Sequence, residues 1–202
     1  IPLRSLPGIP VLLVGLALPL LAAICAVLGL RALGPGGPAV IMLVLCVLAG
    51  LAGLLVLCGL YMVQPNQAAV VELFGKYVGT VRENGLRWNN PFLSKRKVSL
   101  RVRNFESGKL KVNELDGSPI EIAAVIVWQV NDASEAVYNV DDYESFVHIQ
   151  SESALRAMAT SYPYDQHEDG QLALRSHAAE ISQHLKDELA ERLADAGVEV
   201  LD

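Results

Sequence analysis

The chain is 202 residues long, 52% hydrophobic, and carries 22 acidic against 16 basic side chains. That balance argues against a nucleic-acid footprint, which needs a basic stripe to neutralise phosphates. All 22 acidic residues and 14 of the 16 basic ones fall in residues 72–202, a segment of ordinary globular composition with length enough for a core, as one domain or two small ones.

Between Arg4 and Glu72 the one charged residue is Arg31. Two apolar runs fill this stretch, Ile9–Leu30 and Ala39–Val63, separated by Gly34-Pro35-Gly36-Gly37-Pro38. Roughly 20 apolar residues in a helix cross the ~30 Å hydrocarbon core. Both runs are long enough, and neither has the short apolar stretch and cleavage site of a secretory signal. Residues 1–63 are therefore predicted to be a membrane anchor with helices at about 9–33 and 39–63. Pro19 removes one backbone donor and is expected to bend the first helix near Gly15–Pro19. Cys25, Cys46 and Cys58 all lie in the apolar runs and read as small packed hydrophobes rather than a disulfide or metal framework. Two crossings, or a hairpin dipping into one leaflet, both leave the N-terminus and the acidic part on one side. That side has Arg4, Lys76 and Arg82 near the membrane and the loop has only Arg31, so the positive-inside tendency predicts a multi-pass cell-membrane protein with a cytoplasmic soluble part.

Tyr61 suits the membrane interface, and Gln64-Pro65-Asn66-Gln67 reads as a linker. A β-rich segment is expected over 64–115: strands at Ala68–Phe74 and Thr80–Arg82 joined through Gly75–Gly79, then Gly85–Trp88, the alternating Val98–Arg103, and Leu110–Asn113. An α/β segment is expected over 116–202. It opens with the nearly unbroken apolar strand Glu121–Val130 after the Asp116-Gly117-Ser118-Pro119 turn. A short helix follows at Asp132–Val140, and a second is capped by Asp141 or Asp142 and ends at Tyr162-Pro163. After His167-Glu168-Asp169-Gly170 a longer helix is predicted from Gln171 to Asp195. Its apolar stripe is Leu174, Ala178, Ile181, Leu185, Leu189 and Leu193, and Gly197 stops it. Val198–Leu201 begins a last strand.

Little in the chain asks for chemistry. Gly34-Pro35-Gly36-Gly37 lacks the Lys-Ser/Thr of a phosphate loop. His177 and His184 stand two helical turns apart, about 10 Å along the axis, rather than at the i, i+3 or i+4 spacing of zinc ligands. His148 and His167 read as solvated. Ser151 and Ser153 near His148 lack a nucleophile elbow, and Asp141 and Asp142 are explained by capping. No catalytic, metal or cofactor-binding residue is predicted, and no cofactor.

The soluble part resembles the stomatin–prohibitin–flotillin superfamily, the SPFH, Band 7 or prohibitin-homology domain. The resemblance covers about residues 60–202 and rests on a succession. It begins with Val63-Gln64-Pro65-Asn66-Gln67-Ala68-Ala69-Val70-Val71, then the Phe74-Gly75-Lys76-Tyr77 turn and Gly85-Leu86-Arg87-Trp88-Asn89-Asn90-Pro91-Phe92. The Asp116-Gly117 turn into Ile120–Val130 and the helical Glu152-Ser153-Ala154-Leu155-Arg156 complete it. The resemblance implies an α+β fold: a small β-rich subdomain against the membrane, an α/β subdomain, and a long helical region that would follow Asp202. It also implies a non-enzymatic scaffold whose copies close into a ring or cage and organise a membrane microdomain, with membrane lipid and its own copies as partners. Family members carry no agreed catalytic residues. Ring closure is expected to depend on sequence beyond Asp202, because the outer faces of the 171–195 helix are polar. Two rival readings stay open, a dedicated regulator of a membrane protease and a membrane-tethered serine hydrolase using Ser151 or Ser153. One stoichiometric protease on co-purification would favour the first, and fluorophosphonate labelling the second.

Three residues are expected at the membrane. Trp88 and Phe92 flank Asn89-Asn90-Pro91, where large apolar side chains are costly in water, with roughly 1.5–3 kcal/mol available for burying each. At least one is predicted to enter the headgroup region, with Tyr61 beside them. Lys95-Arg96-Lys97 nearby reads equally as a headgroup contact or a solvated strand face.

Overall fold

A computed structural model describes residues 2–33, 37–165 and 172–202, so the interhelical Gly34-Pro35-Gly36, the His167–Gly170 stretch and Gln171 lie outside the described residues. The chain folds as two units, Ile1–Val98 and Ser99–Asp202.

In the first unit, strand β1 (Leu6–Pro7) leads into helix α1 (Gly8–Leu33), which is followed by helix α2 (Gly37–Cys58). Both helices are long and apolar enough to cross a membrane. The two pack closely where side chains are missing. A Cβ on Gly15 would lie 2.6 Å from Leu57, and one on Gly29 2.4 Å from the Met42 sulfur. Small residues that let helix backbones approach are how helices associate in lipid, where no hydrophobic force drives them together. Helix α1 runs without interruption through Pro19, where the sequence predicts a bend. The carbonyl four residues earlier, Gly15 O, loses its helical donor there, and Gly53 brings α2 against that spot. A Cβ on Gly53 would stand 2.7 Å from Pro19 Cδ and 3.2 Å from Gly15 O.

The second helix stops five residues short of the predicted end. Leu60–Val63 is not its last turn but strand β2. Strand β3 (Gln67–Leu73), β4 (Lys76–Val81), β5 (Gly85–Trp88) and β6 (Ser94–Ser99) complete the unit. They form two three-stranded sheets, β1-β5-β2 and β4-β3-β6. Ala68, Ala69, Val70 and Val71 are all fully buried, as befits a central strand covered on both faces. Tyr61, Val63, Ala69, Val71 and Val81 form the core, with Leu3 and Leu93 against it. The segment before α1 is tied down as well: Leu3 N–H donates to Thr80 O at 3.0 Å, and Leu6 pairs with Trp88.

The second unit contains β7 (Arg103–Glu106), β8 (Leu110–Asn113), β9 (Pro119–Ile122), β10 (Val125–Val130), helices α3 (Ala133–Tyr138), α4 (Tyr143–Ser161) and α5 (Ala178–Ala194), and β11 (Val198–Val200). Its sheets run β11-β10-β7 and β8-β9, giving with the first unit the α+β architecture expected. The sequence places a subdomain change at residue 115/116, and β7, from before that point, pairs with β10, from after it. Two predicted strands are each split. Val98–Arg103 is divided between β6 and β7 with Leu100–Val102 between them, and Glu121–Val130 is interrupted at Ala123-Ala124. At the second break the backbone bonds elsewhere: Ala124 N–H donates to Ser107 Oγ at 3.0 Å, and Ala124 O accepts from Ser107 N–H. Beyond the break β10 is the central strand, with Ile126, Trp128 and Val130 buried.

Asp132 caps α3, and Asp142 caps α4 by accepting from Glu144 N–H at 3.1 Å. Helix α5 starts at Ala178 rather than Gln171, because the Leu174 and Arg175 N–H groups donate to the Pro163 and Tyr164 carbonyls instead of entering a helix. From Ile181 its stripe packs as expected, with Ile181, Leu185, Leu189 and Leu193 buried.

Ser151 lies fully buried in α4 with no hydrogen-bond partner for its hydroxyl. An unpartnered buried hydroxyl costs about 1–3 kcal/mol. Ser151→Ala is therefore expected to raise stability by about 1 kcal/mol, read as an upward shift of the thermal midpoint in detergent. A loss of stability would show that the hydroxyl has a partner in solution.

Candidate membrane-facing site

The junction between α2 and the β sheet is built around Gly59. Its carbonyl accepts from Asn89 N–H at 3.1 Å, and its own N–H donates to Val56 O at 3.2 Å. One strand pairing later, Leu60 and Leu6 both stand opposite Trp88 from its two sides. These three large apolar side chains thus form a row across the β1-β5-β2 sheet where both helices enter it. The Trp88 indole N–H reaches back and donates to Val56 O at 2.7 Å. That carbonyl is among the last four of α2, which have no partner inside the helix. The tryptophan therefore caps the helix end while its ring covers Gly59, whose Cβ, were there one, would lie 2.5 Å from Nε1.

Sequence reasoning places Tyr61, Trp88 and Phe92 together at the membrane, and the structure puts them in three different environments. Tyr61 is buried in the core, and its hydroxyl accepts from Asn89 Nδ2 at 3.0 Å. Trp88 is half-buried against the helix end. Phe92 is 67% exposed, three residues past Asn89, in a turn where Leu93 N–H donates to Asn90 O and Phe92 N–H to Asn90 Oδ1. Leu6 and Met62 are each 55% exposed. Neither is singled out by the sequence; Leu3–Pro7 is too short to carry a strand pattern.

Electrostatics follow the same geometry. The Lys95 ammonium sits 5.2 Å above the Tyr61 ring centre, a cation–π arrangement, and burial holds its pKa below the ordinary lysine value. Burial likewise pushes the Tyr61 phenol above its usual value, opposed by hydrogen bonding and by the Arg87 charge. Because the folded state holds this proton more tightly than the unfolded chain, the group adds stability that is intact below the ordinary tyrosine pKa and lost as pH rises through the higher folded one. Alkaline unfolding of the intact protein should therefore be eased by less in Tyr61→Phe than in the unsubstituted chain. Identical alkaline slopes would contradict the assignment.

The residues weighed for catalysis do not converge. Ser151 is buried, and Ser153 Oγ accepts from Arg192 at 3.3 Å. His148 stacks on Phe105 with ring centres 4.0 Å apart, His184 Nδ1 meets the Tyr162 hydroxyl at 2.9 Å, and His177 Nδ1 accepts from Ala173 N–H. His167 is outside the described residues. Among the described residues no three metal-binding side chains gather.

A family model described as the SPFH domain / Band 7 family matches residues 61–202. An uncharacterized protein of Methanothermobacter thermautotrophicus is 31% identical over 113 residues, 55% of this chain and 35% of that protein. The chain thus spans about a third of the length of that relative.

Proposed function

Because this chain belongs to the SPFH domain / Band 7 family, whose general role is that of a membrane-associated scaffold, we propose that it is an oligomeric scaffold, anchored by a two-helix hairpin, that assembles into a ring or cage and organises a membrane microdomain and its proteins. The observation that carries the proposal is the way the anchor is mounted. Both ends of the apolar hairpin are stitched to one sheet, at Leu6–Trp88 before α1 and at Leu60–Trp88 after α2. Such a mount would set the β unit against one face of the bilayer, with the N-terminal segment on the same side, and the weak excess of positive charge there favours a cytoplasmic side. Trp88 at the helix end and the exposed Phe92 are the membrane-contact residues of this reading, with the buried Tyr61 packed behind them in the core. A scaffold needs such fixed seating, because lateral contacts are multiplied around a ring only when every copy stands at the same height.

The test is imaging and mass photometry of the complete protein extracted in mild detergent. Discrete high-order particles are the expected result. A uniform population of monomers at every concentration would sink the scaffold reading.

A further inference from the structure

The basic run Lys95-Arg96-Lys97 is two features rather than one. Successive side chains on a strand point to opposite faces, so within β6 Arg96 projects to one side and Lys95 and Lys97 to the other. Arg96 stands 3.4 Å from the carboxylate of Glu72, itself largely buried, and so its charge is matched. Among the described residues no carboxylate lies within ion-pair distance of Lys95 or Lys97. Lys95 has an aromatic ring on one side and Lys97 is exposed. Two residues apart on a strand, their stems start about 6.5–7 Å from each other, which lets two ammonium groups take a single phosphate between them.

Their position decides which phosphate. Asn89 is bonded to Gly59, the residue that follows the second membrane helix. Phe92, exposed to 67%, comes three residues later, and Lys95 three residues after that. Close in sequence to that contact the chain thus offers a bare aromatic ring and two cations with no carboxylate partner among the described residues. These suit the two chemistries that a bilayer surface presents together, acyl chain and headgroup phosphate. Juxtamembrane lysines gain about 1 kcal/mol each near an anionic surface, and the partial desolvation of Lys95 strengthens its pull on a phosphate.

Resting on the membrane-seated reading above, we infer that Phe92, Lys95 and Lys97 form a site for anionic phospholipid, with the ring in the upper acyl region and the two ammonium groups on the headgroup phosphate. The complete protein would recruit such lipids to its rim and not merely tolerate them.

The test uses the complete protein in phosphatidylcholine vesicles containing trace spin-labelled phosphatidylglycerol or spin-labelled phosphatidylcholine. The motionally restricted fraction should show phosphatidylglycerol enriched about fivefold over phosphatidylcholine at low salt, falling as salt screens the contact. Lys95→Gln with Lys97→Gln should cut the enrichment at least threefold, and Lys109→Gln, a surface change in the other unit, should leave it intact. Enrichment that survives the double substitution, or none in the unsubstituted chain, overturns the site. The seating it rests on is read separately. Phe92→Trp should add fluorescence quenched by shallow brominated lipids above the background of Trp88 and Trp128. A quenched Phe92→Trp with no lysine effect overturns the phosphate site alone, and an unquenched one overturns the seating as well. Far-UV circular dichroism unchanged from the unsubstituted chain confirms that each variant is folded.

Discussion

Gly59→Ala is expected to release the β unit from the membrane hairpin while leaving both folded. A methyl group at this position would lie 2.3 Å from Asn89 O and 2.5 Å from Trp88 Nε1. The first neighbour is backbone and cannot swing aside. The strand pairing must therefore shift, and with it go the Asn89–Gly59 and Trp88–Val56 hydrogen bonds. Overpacking costs typically 1–3 kcal/mol and each hydrogen bond about 0.5–1.5 kcal/mol; because the shift that breaks the bonds also relieves the overpacking, the two do not add in full and a local loss of about 2–4 kcal/mol is expected. In hydrogen exchange on the intact protein, that appears as roughly 30- to 1000-fold faster exchange of Leu60–Val63 and Gly85–Trp88, at about 1.4 kcal/mol per decade. Gly50→Ala is the matched control, because a methyl group there meets nothing within 4 Å. Equal exchange in the two variants would mean that the junction is not held by this contact.

That junction also shows where sequence reading runs out. Hydropathy sees Ala39–Val63 as one apolar run, because a buried strand and the end of a membrane helix use the same residues. Gly59 and Tyr61 were the only marks of a boundary: a glycine where a helix ends, then an aromatic favoured in strands. The N-terminal strap failed for another reason. Leu3, Leu6 and Pro7 carry no alternation over enough residues to register as a strand, and their pairing with Thr80 and Trp88 is a property of chain path alone. By contrast, Ile181, Leu185, Leu189 and Leu193 were legible, since a stripe at helical spacing has one way to be buried. The start of α5 was not, since the carbonyls that claim its first donors belong to Pro163 and Tyr164, across a stretch with no pattern. Tyr61, Trp88 and Phe92 could be picked out by residue type and by nearness to the second apolar run. Their different burial could not be read, because it depends on which side of a pairing each ring falls.

Alternation has a further consequence for the basic run Lys95–Lys97. A count of basic residues treats Lys95, Arg96 and Lys97 as equal, whereas the pleat and the buried Glu72 make them unequal. Charge patterning near a bilayer therefore has to be read through the period of the element that carries it. A loop would present all three cations to the headgroups, and a helix would spread them over most of a turn. Only a strand puts the outer two on one face and turns the middle one away.

The largest effect on folding is expected at Gly197, where two separable costs coincide. Its φ of +64° lies in the left-handed region, which costs any other L-residue roughly 1–2 kcal/mol. It also sits pressed under the start of α3. A Cβ there would stand 2.4 Å from Asp132 O and 2.9 Å from Glu135 Cβ, while the Gly197 carbonyl accepts from both Asn131 and Asp132 N–H at 2.9 and 3.1 Å. This glycine is thus both the stop of α5 and the point where β11 turns in beside β10. Gly117 separates the two costs, having a φ of +86° and open space where its Cβ would be. Gly117→Ala should lose only the conformational part, about 1–2 kcal/mol. Gly197→Ala adds the collision and the strained carbonyl contacts, for a total of about 3–5 kcal/mol. Chemical denaturation of the two variants in detergent, followed by Trp128 fluorescence, measures the difference. Equal losses would show that the packing against Asp132 relaxes freely, and that the turn alone explains why glycine stands at both positions.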